Sequence, residues 1–206
     1  MADLTNRTEY LASTEVVDWD HADVRQLADE LADRESDPTR IAKRCFEWVR
    51  DEIQHSMDFH RMELTCSASD VLARRTGFCY AKSHLLAALL RANKIPAGFC
   101  YQRLSIDGIG PPLSLHGLNA VWLDGVGWYR IDARGNKLGV DARFSPPIEQ
   151  LAFRIENSGE FEVPGVFSEP LPEVVEALRS YSTVGELAKN LPDVASSDRQ
   201  LVNETS

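Results

Sequence analysis

The 206 residues are 43% hydrophobic and 26% charged, the balance of a globular domain rather than of a disordered tail, and enough chain to bury a core without disulfide or metal staples. With 22 basic and 32 acidic residues the formal charge is -10, which opposes binding to a nucleic-acid backbone and mildly favours cationic partners such as lysine side chains or polyamines. The opening MADLTNRTEYLAS lacks a basic region leading into an apolar stretch, and no run approaches the ~18 apolar residues of a bilayer span, so the expectation is a cytosolic protein with no membrane partner.

Cys45, Cys66, Cys79 and Cys100 form no C-x-x-C pair, and a reducing compartment keeps such cysteines as thiols. Each is therefore judged singly, as core filling or as a nucleophile.

The first half reads as helical. Between Asp20 and Arg34, Val24, Leu27, Ala28 and Leu31 recur at three- and four-residue steps, the stripe of an amphipathic surface helix with His21 solvated in its first turn. Ser36-Asp37-Pro38 supplies a cap and a proline at the first helical position. The inner face of a second helix follows, from Ile41 through Cys45 to Ile53. The stretch from His55 to Cys66 loses periodicity and reads as a loop. Its His55, His60 and Cys66 match no zinc spacing and lack a fourth ligand, so no metal is expected. Ser69-Asp70 offers a cap for a short helix broken by Arg75-Thr76-Gly77. The next helix opens at Phe78-Cys79 and runs to Arg91, apolar on most faces as a central helix is, with His84 a core histidine and Asn93 a C-cap.

From Gly98 the pattern turns to strands at 98–104, 115–123 and 128–132. The last two are joined by Asp124-Gly125-Val126-Gly127, whose glycines suit a tight hairpin. Three antiparallel strands beside helices predict an α+β domain. Trp122 and Trp128 alternate with apolar residues and read as packing. Beyond residue 140 the signal weakens. Pro146-Pro147 opens a short helix through Leu151, prolines 164, 170 and 172 mark a loop-rich stretch, and 173–190 gives one or two helices. One domain over 1–192, with a catalytic core at about 38–140, precedes a polar tail at 193–206.

The chemistry concentrates at Thr76-Gly77-Phe78-Cys79-Tyr80. A cysteine on an apolar helix is ordinarily packing material. Cys79, however, opens its helix, where unpaired N–H groups and the positive end of the dipole stabilise a thiolate. Gly77 lets a substrate carbonyl approach, and the Cys79 N–H can donate to an oxyanion. His116 starts a strand and can carry the proton. Asp132 ends the next strand of the same hairpin, within two residues of the register opposite His116 and within reach of its Nδ1. Asn119, three residues past His116, falls on the opposite face. Gln54 is a candidate second oxyanion donor through its amide.

The segments RTGFCYAKSHLLAALLRANKIPAGFCYQRL and LHGLNAVWLDGVGWYRIDARGN, within residues 69–136, resemble the core of the transglutaminase-like superfamily. Its fold is a circularly shuffled relative of the papain-like cysteine peptidases. The resemblance implies helices packed on a small antiparallel sheet and makes Cys79 the nucleophile, His116 the general acid and base and Asp132 the orienting carboxylate. It further implies a minimal bacterial-type member, without the calcium sites of the large animal enzymes and with no cofactor. The expected activity is acyl transfer or hydrolysis at a carboxamide or peptide bond through a thioester, with a protein or peptide substrate and water or an amine as acceptor. The alternative is a catalytically silent protein- or peptide-binding module of the same fold.

Overall fold

A computed structural model describes residues 7–194, so most of the expected polar tail lies outside the described residues. After a 3-10 turn at Thr8–Leu11 come helices α1 (Ala22–Ala32) and α2 (Pro38–Glu52), strand β1 (Gln54–His55), helix α3 (Ala68–Arg74), strand β2 (Thr76–Gly77) and helix α4 (Cys79–Ala92). Strands β3 (Ala97–Ser105), β4 (Leu113–Leu123) and β5 (Gly127–Ile131) follow, then β6 (Arg143–Ser145), β7 (Ile148–Gln150) and β8 (Phe161–Phe167), and last helices α5 (Pro172–Ser180) and α6 (Val184–Leu187). The class is α+β, as expected.

Local chemistry accounts for most boundaries. Asp37 caps α2 by accepting the Thr39 N–H at 2.9 Å, ahead of Pro38 at the first helical position. The cap of α3 is Ser67, which accepts from the Asp70 N–H, so the helix starts before the expected Ser69. His21 caps α1 through Nδ1, and Asn93 closes α4. Helix α4 is buried from end to end, the central position its all-round apolar sequence calls for.

The main sheet has the order β5-β4-β3-β8, antiparallel throughout. The β4–β5 hairpin pairs Trp122 with Trp128 and Asn119 with Ile131, and extending that register sets 116 against 134, as the turn glycines predict. Two expectations fail here. Pro164 marks 161–167 as part of a loop-rich stretch, yet these residues form β8. It lies on the sheet's edge, where a residue without an N–H is tolerated. Pro146 and Pro147 open no helix; they form the turn between β6 and β7.

One face of β4 packs on α4. A Cβ at Gly117 would meet Tyr80 Cδ1 at 2.8 Å, and Asn119 Nδ2 donates to the Ser83 carbonyl of α4 at 3.0 Å. The alternate residues His116, Leu118 and Ala120 face the other way, towards Phe153, Leu151 and Trp128. Buried Arg91 donates to the Ala97, Ala12 and Ser168 carbonyls, fastening the N-terminal segment and the end of β8 to the α4–β3 corner.

Candidate active site

The end of α4 is held by a two-residue parallel ladder that pairs Gln54 with Thr76 and His55 with Gly77. Gly77 serves packing: a Cβ there would meet Ala81 Cβ at 3.2 Å and Lys82 Cγ at 3.4 Å, so glycine lets β2 run against the first turn of α4. The N-cap residue Phe78 makes no side-chain capping bond. The first-turn N–H groups at Cys79 are thus left without a side-chain cap, which suits anionic oxygen or sulfur at this helix end.

Cys79, His116 and Asp132 come together. His116 Nε2 lies 2.8 Å from Asp132 Oδ2, and the Cys79 thiol is near enough to the same imidazole to raise its pKa. The expected nitrogen was Nδ1. Asp132 sits one residue beyond β5 and meets Nε2 instead. Asp132 is itself fixed: Oδ1 accepts the Arg134 N–H at 3.1 Å and Oδ2 the Ala152 N–H at 3.1 Å.

Burial works against a charged imidazole at His116, but the charges of Asp132 and Cys79 and their hydrogen bonds outweigh it and push the pKa up to about 10. Burial would likewise raise the Asp132 carboxyl, yet His116 and the two backbone N–H groups hold it below the usual carboxylate range. Burial pushes Cys45 and Cys100 up to about 12 and raises Cys66 as well, in keeping with core filling.

A cleft of about 1560 Å³ opens onto Cys79 and His116. Part of its wall is apolar and exposed, including Met57, Ile106 and Ile148. Gln54, the expected second oxyanion donor, is not in the cleft wall; its Oε1 accepts from Arg61 Nη1 at 3.0 Å. The next residue, His55, is in the wall. Burial, then nearby Arg134, hold its pKa down to about 3, so it lines the cleft as a neutral imidazole.

Sequence reasoning missed the segment that packs against His116 and Asp132. The Phe153 ring stands edge-on to His116 at 5.0 Å, while the neighbouring Ala152 N–H binds Asp132. It also missed Arg134, bidentate to Asp58 at 2.6 and 3.1 Å, and Gln102, paired directly opposite His116. No turn signal sets the β3–β4 register, so Gln102 had no pattern to mark it. Asn119 faces α4, away from His116, and the Trp122 and Trp128 rings pack on each other at 5.7 Å. His84 is a core histidine bonded through Nδ1 to the Cys66 carbonyl at 2.7 Å. Among the described residues, no group of three or more His, Cys, Asp or Glu side chains is arranged to hold a metal, and no helix is long and apolar enough to cross a membrane.

Among solved structures, a candidate cysteine protease from Cytophaga hutchinsonii is similar with a TM-score of 0.50 and 21% identity, over 62% of this chain and 41% of that one. The periplasmic domain of TgpA from Pseudomonas aeruginosa has a TM-score of 0.47 and 20% identity, over 64% and 49%. The match thus spans less than half the length of either protein, and likeness at this identity concerns the fold. No curated protein matches the chain. The family model described as the transglutaminase-like superfamily matches residues 25–133, which include Cys79, His116 and Asp132. More than half of the sequence is covered in this way, and the chain belongs to the transglutaminase-like superfamily.

Proposed function

We propose that the protein is a thiol-dependent enzyme that attacks a carboxamide or peptide carbonyl with Cys79 and passes through a thioester. The observation that supports this reading is the His116 imidazole, held by Asp132 at 2.8 Å and lining the same cleft as Cys79. A nucleophile, its proton carrier and an orienting carboxylate then act as one unit.

In acylation the thiol proton resides on His116, which a pKa of about 10 keeps protonated through the neutral range. The Cys79 sulfur bonds to the substrate carbonyl carbon, and the backbone N–H of Cys79 receives the developing oxyanion. As the C–N bond breaks, the leaving nitrogen keeps the electron pair and takes the His116 proton, so ammonia or an amine departs and a thioester remains. In deacylation water or an amine attacks the thioester, His116 accepts its proton, and the C–S bond breaks to return the starting pair. The open cleft with apolar groups along its wall suits a protein or peptide chain as the acyl donor. A reducing compartment such as the cytosol belongs to the same reading, since all four thiols are free and a working thiol there escapes oxidation.

The test is intact-protein mass spectrometry after incubation with glutamine peptides. An acyl adduct on Cys79, released by water or by a labelled amine, is expected, and the dominant product names the acceptor. Turnover that persists in Cys79→Ala overturns the proposal.

A further inference from the structure

The cleft contains a buried acceptor that the three-residue mechanism does not use. Gln102, in β3, is 1% exposed and lines the same cleft as Cys79 and His116. Its Cα partner on β4 is His116, and its partner on β8 is Glu162. The Gln102 Nε2 donates to Glu162 Oε1 at 3.0 Å and to the Phe153 carbonyl at 3.4 Å. Both are acceptors, so the amide has one orientation: a flipped Gln102 would turn its oxygen on two other oxygens. Oε1 is left with no hydrogen-bond partner among the described residues. A buried carbonyl oxygen without a donor is costly and uncommon, and in a cleft wall it calls for a donor from the ligand.

We infer that Gln102 is a specificity-determining residue, whose Oε1 accepts an N–H from the leaving nitrogen of the substrate and thereby selects amides over esters. The inference rests on the thioester reading above. Side chains directly opposite on adjacent antiparallel strands have Cβ atoms about 5 Å apart, which brings the Gln102 amide within reach of the nitrogen that His116 protonates. With one N–H held by Gln102, the lone pair that forms on that nitrogen as the C–N bond breaks is turned towards the His116 proton. Gln102 exchanges no proton itself. An ester leaving oxygen has no hydrogen to offer, so it gains nothing from Oε1 and leaves it unpaired.

The experiment compares wild type with Gln102→Leu and Gln102→Met on two probes, an N-blocked glutaminylglycine and the matched glutamyl γ-methyl ester. Both donate the same acyl group. The quantity read is the ratio of kcat/KM for amide over ester, from which the folded fraction of each variant cancels. In both variants this ratio falls by about tenfold or more. Equal loss on the two probes, or no loss on either, assigns Gln102 to holding the segment at Phe153 and overturns the inference. An acyl adduct on Cys79 from the ester, with an unchanged ratio, overturns only the role of Gln102. No adduct in wild type from either probe overturns the thioester reading and this inference with it.

Discussion

Asp132 grips His116 by Nε2, at 2.8 Å, and so leaves the ring's other nitrogen clear of the carboxylate. The geometry follows from the hairpin: His116 projects from within β4, whereas Asp132 lies just past the end of β5, held by the N–H groups of Arg134 and Ala152. The carboxylate reaches the ring from its far end, and in the proposed mechanism the other nitrogen serves the thiol.

Replacing Asp132 with Asn keeps the shape but removes the charge that offsets burial at His116. The proton affinity of His116 then falls, and the limb of the kcat/KM profile that needs a protonated His116 moves down from near pH 10. Activity at pH 7 drops by roughly 10³-fold. The stability contribution of the raised His116 pKa is fully present below about pH 6.5 and is lost as pH rises through about 10. Asp132→Asn therefore costs most stability at the lower end of that window. A pH–rate profile with an unmoved alkaline limb would contradict the assignment.

Gly117, next to His116, is the second lever. A methyl group there would meet Tyr80 Cδ1 at 2.8 Å and Tyr80 Cα at 3.4 Å, and Tyr80 is itself tied by its hydroxyl to the Leu115 carbonyl. Neither side can give way without moving α4 relative to β4. Gly117→Ala is expected to lose about 1–3 kcal/mol of stability in urea unfolding. It should also slow alkylation of Cys79 by iodoacetamide, because the shift separates thiol and imidazole. A variant as stable and as reactive as wild type would show that the helix and strand are not in close contact there.

What could be read before the fold was known follows a physical line. The α4 helix and the β4–β5 hairpin with its His116–Asp132 pair depend on periodicity, glycine turns and strand register, all local in the chain, whereas the link from Cys79 to that pair comes from the family resemblance. The β8 strand was hidden because Pro164 reads as a breaker and only its place at the sheet edge excuses it. The role of Gln102 depends on the β3–β4 and β3–β8 registers, set by burial of whole faces across long connections. The amide of Gln54 suits an oxyanion donor, but the two-residue ladder beside Gly77 places the neighbouring His55 in the cleft wall instead.

Arg134 joins the segment after Asp132 to the loop after β1 through Asp58, which Lys137 also contacts at 2.7 Å. Burial would raise the Asp58 carboxyl, but these cations hold it at about 2. Its contribution to stability is present above pH 3.8 and is lost as pH falls through about 2. Arg134→Met leaves Asp58 with Lys137 alone and is expected to cost about 2 kcal/mol at pH 7. A double-mutant cycle with Asp58→Asn reads the pair directly, and a coupling energy near zero would make Arg134 a packing residue only.

Acid sensitivity should come from His84, away from the reacting groups. Burial, helped by Arg179, holds its pKa down to about 4 despite the bond to the Cys66 carbonyl. Between pH 6.5 and about 4 the unfolded chain takes up a proton that the folded protein refuses, so stability falls as pH falls, by roughly 3 kcal/mol across the window. His55, held down to about 3, adds a second proton of the same sign. In His84→Gln the side chain keeps an N–H for the Cys66 carbonyl but cannot titrate. Urea midpoints measured from pH 7 to 4 should therefore decline less steeply in the variant, by up to about 1.4 kcal/mol per pH unit. A decline as steep as in wild type would move the responsible proton from His84 to another group, with His55, in the cleft wall, the first to examine.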